Sequence, residues 1–322
     1  MKVCLISTAT FPSDQGIRTV SSVLKKAGHK VKIIFMAYSE DYSKFYGKKE
    51  LGQLLNICKN SDLTGISSYA STAPRAVQII NFLKKNNFEK PIVWGGVHAT
   101  ISPESCIKHV NIVCVGEGEG AILELVDAIE KNKSIEKIRN LWIRKSGTLN
   151  GTSEIIKNSV RKAIENLDEL PFADYDLEDH YLLENHSLRK FREEAFTGAI
   201  FFLTGRGCPY GCTYCSNNLF NKLYKGKCKS IIRWHSADYI IDCILDLKKR
   251  FKSLHYFDIR DDTFSWRPVS QIKDFCEKYK EKVGMRFKCL GDPKTISEEK
   301  IKLLVDAGCT DIIVGVQGVE RV

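Results

Sequence analysis

The chain has 322 residues, 43% of them hydrophobic and 27% charged, with a formal net charge of +10. That is ordinary globular material, long enough for two domains, and no apolar run reaches the length of a membrane span. The basic excess does not indicate a nucleic-acid partner, because the lysines come in pairs such as Lys84-Lys85 and Lys248-Lys249 spread along helical patterns, as on solvated faces. Twelve cysteines in a chain with no small secreted framework point to reduced thiols, a cytoplasmic setting and a metal site.

The opening Met-Lys-Val-Cys-Leu-Ile-Ser-Thr-Ala is too short in its apolar part for a signal peptide and reads as a first strand. Further strands are predicted at 31–35, 63–68, 91–94 and 112–115. Between them, Ile17, Val20, Val23, Leu24 and Ala27, and then Ala76, Val77, Ile79, Ile80 and Leu83, recur at helical spacing. Gly28 closes the first helix, and Ser102-Pro103-Glu104 reads as a helix start with proline in the first turn. Strand and helix in alternation predict an α/β domain with a doubly wound parallel sheet, whose ligands bind beyond the carboxyl ends of the strands. Cys4, Cys114 and Cys243 fall in apolar patterns and read as small core residues.

Three loops follow those strand ends: Ser67-Ser68-Tyr69-Ala70-Ser71-Thr72, Gly95-Gly96-Val97-His98-Ala99-Thr100 and Gly116-Glu117-Gly118-Glu119-Gly120. Glycine pairs let backbone approach a large flat or phosphate-bearing ligand, although any one loop alone is plain turn chemistry. Together, "GISSYASTAPRA", "PIVWGGVHAT" and "VCVGEGEG" resemble the cobalamin-binding domain that precedes many radical S-adenosylmethionine (SAM) enzymes. The resemblance implies cobalamin contacts at Ser67, Ser68, Thr72, Gly95, Gly96, His98, Ala99, Thr100, Gly116, Glu117, Gly118 and Glu119. None of the seven histidines stands in an Asp-x-His-x-x-Gly setting. His29 reads as a surface turn and His98 as a loop-lining residue, so the resemblance is to the subgroup that binds cobalamin without a histidine ligand.

A connector is expected over 136–195, with a small hairpin at Leu141–Arg144 turning at Gly147. An exposed, extended acidic stretch, Asn166-Leu-Asp-Glu-Leu-Pro-Phe-Ala-Asp-Tyr-Asp-Leu177, follows it. That stretch also resembles the segment joining these two domains in the same family.

The third region, 196–322, opens with an apolar strand pattern at 199–204, and Cys208, Cys212 and Cys215 lie just beyond it in "RGCPYGCTYCSNN". Three thiolates in C-x-x-x-C-x-x-C can converge on one metal centre, at the strand end where barrel enzymes keep their chemistry. A zinc site with Cys228 as fourth ligand is the alternative. With Tyr214 before the last cysteine, the motif resembles the radical SAM signature. It implies a [4Fe-4S] cluster on the three cysteines, with one iron open to SAM.

Strand patterns at 254–259, 285–290 and 311–316 alternate with helical ones at about 236–251, 268–282 and 297–307, predicting a partial (β/α) barrel of four strands. Asp258, Asp261 and Asp262 in "YFDIRDDTF" read as a solvated acidic loop. The resemblance makes Asp261 and Asp262, with Tyr214 and Gln317, SAM contacts. The family's barrels have more strands than four, so the resemblance leads one to expect that this chain is a fragment of a longer enzyme.

The function implied is methyl transfer to an unactivated carbon of a small or natural-product-like substrate. It would proceed through a 5′-deoxyadenosyl radical and methylcobalamin, with flavodoxin or ferredoxin as electron donor. Alternatives are an oxidative cyclase or rearrangement enzyme on the same scaffold, an RNA methylthiotransferase with Cys4, Cys58 and Cys106 as a second cluster set, and a zinc-bound interaction module.

Overall fold

The computed structural model describes residues 1–38, 41–145, 154–196 and 198–315. Gly147 and Gln317 lie outside the described residues. The chain forms two compact units: residues 1–163, 170–192 and 213–227 make the first, and 164–169, 193–212 and 228–322 the second.

In the first unit β1 (Lys2–Ser7), α1 (Gln15–Lys26), β2 (Lys30–Phe35), α2 (Lys48–Cys58), β3 (Leu63–Ser67), α3 (Ala73–Lys85), β4 (Ile92–Gly95), α4 (Gly96–Ile101), α5 (Pro103–Cys106), β5 (Ile112–Cys114) and α6 (Glu119–Glu130) follow one another. Four more strands, β6 (Leu141–Arg144), β7 (Ile155–Lys157), β8 (His180–Glu184) and β9 (Ser187–Lys190), complete a nine-stranded sheet in the order β7-β6-β5-β4-β3-β1-β2-β8-β9. Strands β1 to β5 and β8 run parallel, whereas β6, β7 and β9 pair antiparallel at the margins. Central strands covered on both faces need continuous apolar runs, and Val3, Cys4, Leu5 and Ile6 are all buried. The chain leaves β1 for β2 on one side and returns to β3 on the other, so the topological switch point lies at the ends of β1 and β3.

The predicted connector is not a separate element. Strand β8 adds to the sheet beside β2, and residues 172–176 of the acidic stretch before it dock on α1. Arg18, wholly buried, donates to the carbonyls of Pro12 and Asp174 and lies over the rings of Phe35 (4.3 Å) and Tyr175 (4.1 Å). Ser21 donates to Asp174 (2.6 Å), Ser22 to the Phe172 carbonyl (2.6 Å), and Lys25 pairs with Asp174 (2.8 Å) and Asp176 (3.1 Å). Buried charges persist where they are paired and hydrogen-bonded, and this segment supplies the partners.

The second unit contains β10 (Gly198–Phe202) and a two-stranded antiparallel ribbon of β11 (Gly205–Arg206) and β12 (Arg233–Trp234). Helix α7 (Ser216–Leu223) falls between the ribbon strands in sequence but belongs to the first unit. Then α8 (Ala237–Arg250), β13 (Leu254–Ile259), α9 (Val269–Lys282), β14 (Arg286–Gly291), α10 (Glu298–Asp306) and β15 (Cys309–Val314) alternate. The sheet β10-β13-β14-β15 is all parallel, as the alternation predicted, and is the partial barrel. Ile200, Phe257 and Phe287 share one register row and are wholly buried, while the next row carries Phe201, Asp258 and Lys288 on the opposite face.

Candidate functional site

At the switch point of the first unit the three predicted loops lie beyond β3, β4 and β5. The second of them is not a loop throughout, since Gly96–Ile101 is the helix α4. Three hydroxyls expected to face a ligand are engaged within the protein. The Ser68 hydroxyl accepts the Trp94 indole N–H (2.9 Å). Thr72 accepts the Thr8 hydroxyl (2.9 Å) and the Tyr69 amide (3.1 Å). Thr100 donates to the Gly96 carbonyl (3.0 Å) and accepts the Gly116 amide (2.9 Å). The physical reason is that strand-end turns leave backbone and side-chain polar groups to satisfy, and short side chains do so locally. Ala99 is wholly buried and Glu119 nearly so, in the first turn of α6.

His98 offers neither ring nitrogen freely. Its Nε2 lies 3.2 Å from the Ser105 hydroxyl, its Nδ1 is shut off from solvent, and burial lowers its pKa. His29 is not on a surface turn as predicted. It is 7% exposed, 3.4 Å from Asp127, and precedes β2, at the amino end of the sheet away from the loops.

The sequence reading missed the loop after β1. Asp14 caps α1 through the Ile17 amide, accepts the Ser7 hydroxyl at 2.6 Å, and is raised in pKa by burial. Its charge, with burial, in turn raises Tyr69. Phe11 and Tyr69 are large apolar side chains left 44% and 45% exposed on the loops of β1 and β3. With the hydroxyls turned inward, the switch point presents backbone and aromatic faces, which fits a large ring-shaped ligand. The only local signal for this loop was the Asp14 cap.

In the cysteine motif, Cys208, Cys212, Cys215 and Cys228 are half-buried, while the other eight cysteines, Cys4, Cys58 and Cys106 among them, are buried. The Cys4 and Cys58 sulfurs touch at 3.4 Å, and Cys58 is raised well above the ordinary thiol range by that contact and by burial. Burial likewise pushes Cys106 up to about 11. Such thiols are poor metal donors, because the thiolate is the ligand. Three accessible sulfurs in one short run are the donor set an iron–sulfur cluster takes.

The motif springs from a braced stem in the second unit. Gly207 has φ +93°, and a Cβ there would sit 2.1 Å from the Ile231 carbonyl, so the β11–β12 ribbon closes only over glycine. Beneath it, Asp261, 2% exposed, accepts the amides of Thr204 (2.5 Å) and Gly205 (3.1 Å), the Thr204 hydroxyl, and the Arg267 guanidinium (2.9 Å). Arg267 also donates to the Thr204 carbonyl (3.0 Å) and hydroxyl (2.6 Å). Asp261, expected as a ligand contact, is thus turned into this clamp. Its oxygens already take four donors, whereas Asp262 next to it is exposed. Tyr214 is 71% exposed.

Asp258 is not in a solvated loop either. It is 1% exposed on β13, with Arg260 at 2.7 Å and Lys288 at 3.0 Å from one oxygen. Arg260 lies over the Phe201 ring at 4.7 Å. These residues give the face opposite the helices a polar, mixed-charge floor. Tyr210, inside the motif, meets Trp266 edge-on at 5.6 Å and is pushed up to about 12 by burial and Asp292.

Residues 1–126 match the B12 binding domain family. An uncharacterised methyltransferase of Pyrococcus horikoshii is 26% identical over 262 residues, 80% of this chain and 51% of that protein. This chain thus spans about half the length of the curated relative it matches. The cobalamin-dependent SAM radical enzyme OxsB, solved with aqua-cobalamin and SAM, superposes with a TM-score of 0.73 at 20% identity, covering 98% of this chain and 44% of that one. The radical SAM methyltransferase TsrM from Kitasatospora setae, solved with cobalamin and a [4Fe-4S] cluster, gives 0.72 at 16% identity over 99% of this chain and 59% of that one. The first 126 residues therefore match a B12-binding domain, and the chain as a whole shares the fold of OxsB and TsrM.

Proposed function

We propose that this chain is the cofactor-bearing part of a cobalamin-dependent radical SAM methyltransferase acting on an unactivated carbon of a small molecule. The observation that carries the reading is the set of three half-buried thiols beyond the first strand of a parallel β/α sheet, in a chain that also holds a B12-binding domain. Cys208, Cys212 and Cys215 would hold the cluster, and backbone of the 67–72, 95–100 and 116–119 loops would hold cobalamin. When bound, these groups supply the one-electron and methyl-transfer chemistry.

The chain's own residues then position and enclose. Asp261 and Arg267 fix the stem from which the cysteines project. Asp262 and Tyr214, both exposed, would contribute contacts to SAM, and the Asp258–Arg260–Lys288 floor would offer fixed charges to orient a polar ligand. A reductant of the flavodoxin or ferredoxin type would deliver the electron. The test is iron and sulfide analysis after anaerobic reconstitution. About four irons per chain are expected, lost when the three cysteines are replaced by alanine and kept in Cys228→Ala. Zinc in place of iron, or iron retained in the triple variant, contradicts the assignment.

A further inference from the structure

Tyr224 ends α7, the helix that begins directly after Cys215, and both belong to the first unit. That helix packs on α4, and the buried Tyr224 ring reaches the turn after β5. There its hydroxyl accepts the Glu117 amide at 2.7 Å. Gly116 beside it has φ +82°, and a Cβ at that position would stand 2.4 Å from the Tyr224 oxygen. So the glycine expected to make room for a ligand makes room for a tyrosine of the cysteine segment. The same turn is stiffened from below. Asn140, wholly buried, donates to the Val115 carbonyl (2.7 Å) and accepts the Arg161 amide (3.0 Å), and Thr100 of α4 takes the Gly116 amide. Both loops flanking Tyr224, Gly96–Ile101 and Gly116–Glu119, are those assigned above to cobalamin.

We propose that Tyr224 is a positioning residue that latches the segment after the third cysteine to the cobalamin loops, so that cobalamin in the first unit orders the chain carrying Cys215. The proposal rests on the reading of these loops given under Proposed function. It makes loading of the cobalamin site a precondition for a well-ordered third thiolate, through an oxygen that touches neither cofactor.

The experiment is amide hydrogen exchange on the parent and Tyr224→Phe, each with and without hydroxocobalamin. Phenylalanine keeps the buried ring and removes only the hydroxyl, so the thermal midpoint is expected to stay within a few degrees while cobalamin binds about fivefold more weakly. In the parent, cobalamin should slow exchange in residues 96–101, 116–119 and 216–224. In Tyr224→Phe the first two segments should still be slowed, and 216–224 should exchange as it does without ligand. Equal protection of 216–224 in both proteins overturns the proposal, as does a parent that binds cobalamin without protecting that segment. A parent that binds no cobalamin overturns the reading of the loops, and the latch with it.

Discussion

Replacing Asp261 by asparagine removes a charge from an enclosed ion pair of the second unit, in which both side chains are 3% exposed. Asparagine can still accept the Thr204 and Gly205 amides on its oxygen. Its NH2 then faces the Arg267 guanidinium and the Thr204 hydroxyl, which now meet a donor where they met an acceptor. Burial already lowers the Arg267 pKa, and Asp261 is the first of the groups that offset this. Breaking a buried pair from one side costs about 3–5 kcal/mol. For a unit of this size that is a fall in midpoint of roughly 10–20 °C. The assay is thermal unfolding of the iron-free chain, followed by near-ultraviolet circular dichroism, with Asp262→Asn as the comparison. The exposed Asp262 should change stability by no more than about 0.5 kcal/mol. If Asp261→Asn and Asp262→Asn melt alike, the clamp is not what holds the stem, and Asp261 returns to the list of ligand contacts.

Two further outcomes are expected. His98→Ala should leave the electron paramagnetic resonance spectrum of bound Co(II)-cobalamin unchanged and free of nitrogen splitting, because Nε2 lies against the Ser105 hydroxyl and Nδ1 is shut off from solvent; nitrogen coupling lost in the variant would make His98 a ligand. Asp174 should govern the acid limb of the first unit. Burial alone would raise its pKa, but His180 (3.3 Å), Lys25 and Ser21 outweigh it and hold the carboxyl well below the usual range. Its folded pKa is depressed, so its contribution is present above the ordinary carboxylate pKa and is lost as pH falls through the folded value. Asp174→Asn should therefore lower the midpoint at pH 7 by several degrees and flatten its fall below about pH 4. Asp14, raised by burial, works in the opposite sense and should not be mistaken for it. Parallel acid limbs in variant and parent would refute the assignment.

The alternation of apolar runs and helical spacing made the parallel sheets legible, since buried parallel strands must be apolar throughout. Strands β8 and β9 were not legible, because both are short, with Tyr181–Leu183 bounded by His180 and Glu184 and β9 largely polar, and they lie at the sheet's margin. Nothing local marked Arg18 for burial, since the Asp174 carbonyl that takes its guanidinium stands 156 positions later in the chain. The spacing of the three cysteines marked them as a candidate metal site but left zinc open beside a cluster. The division of labour between Asp261 and Asp262 was not legible, because an acidic run does not say which carboxylate turns inward. Tyr224 carried no local signal at all: its partner amide lies 107 residues earlier in the chain.

The central claim is that three cysteines hold a cluster with one iron left open. It is tested most directly by the electron paramagnetic resonance spectrum of the reconstituted, reduced chain before and after addition of SAM. A [4Fe-4S]⁺ signal that shifts on adding SAM, and that is absent when Cys208, Cys212 and Cys215 are alanine, is the predicted result. A cluster signal indifferent to SAM, or one that persists without those three thiols, would contradict it.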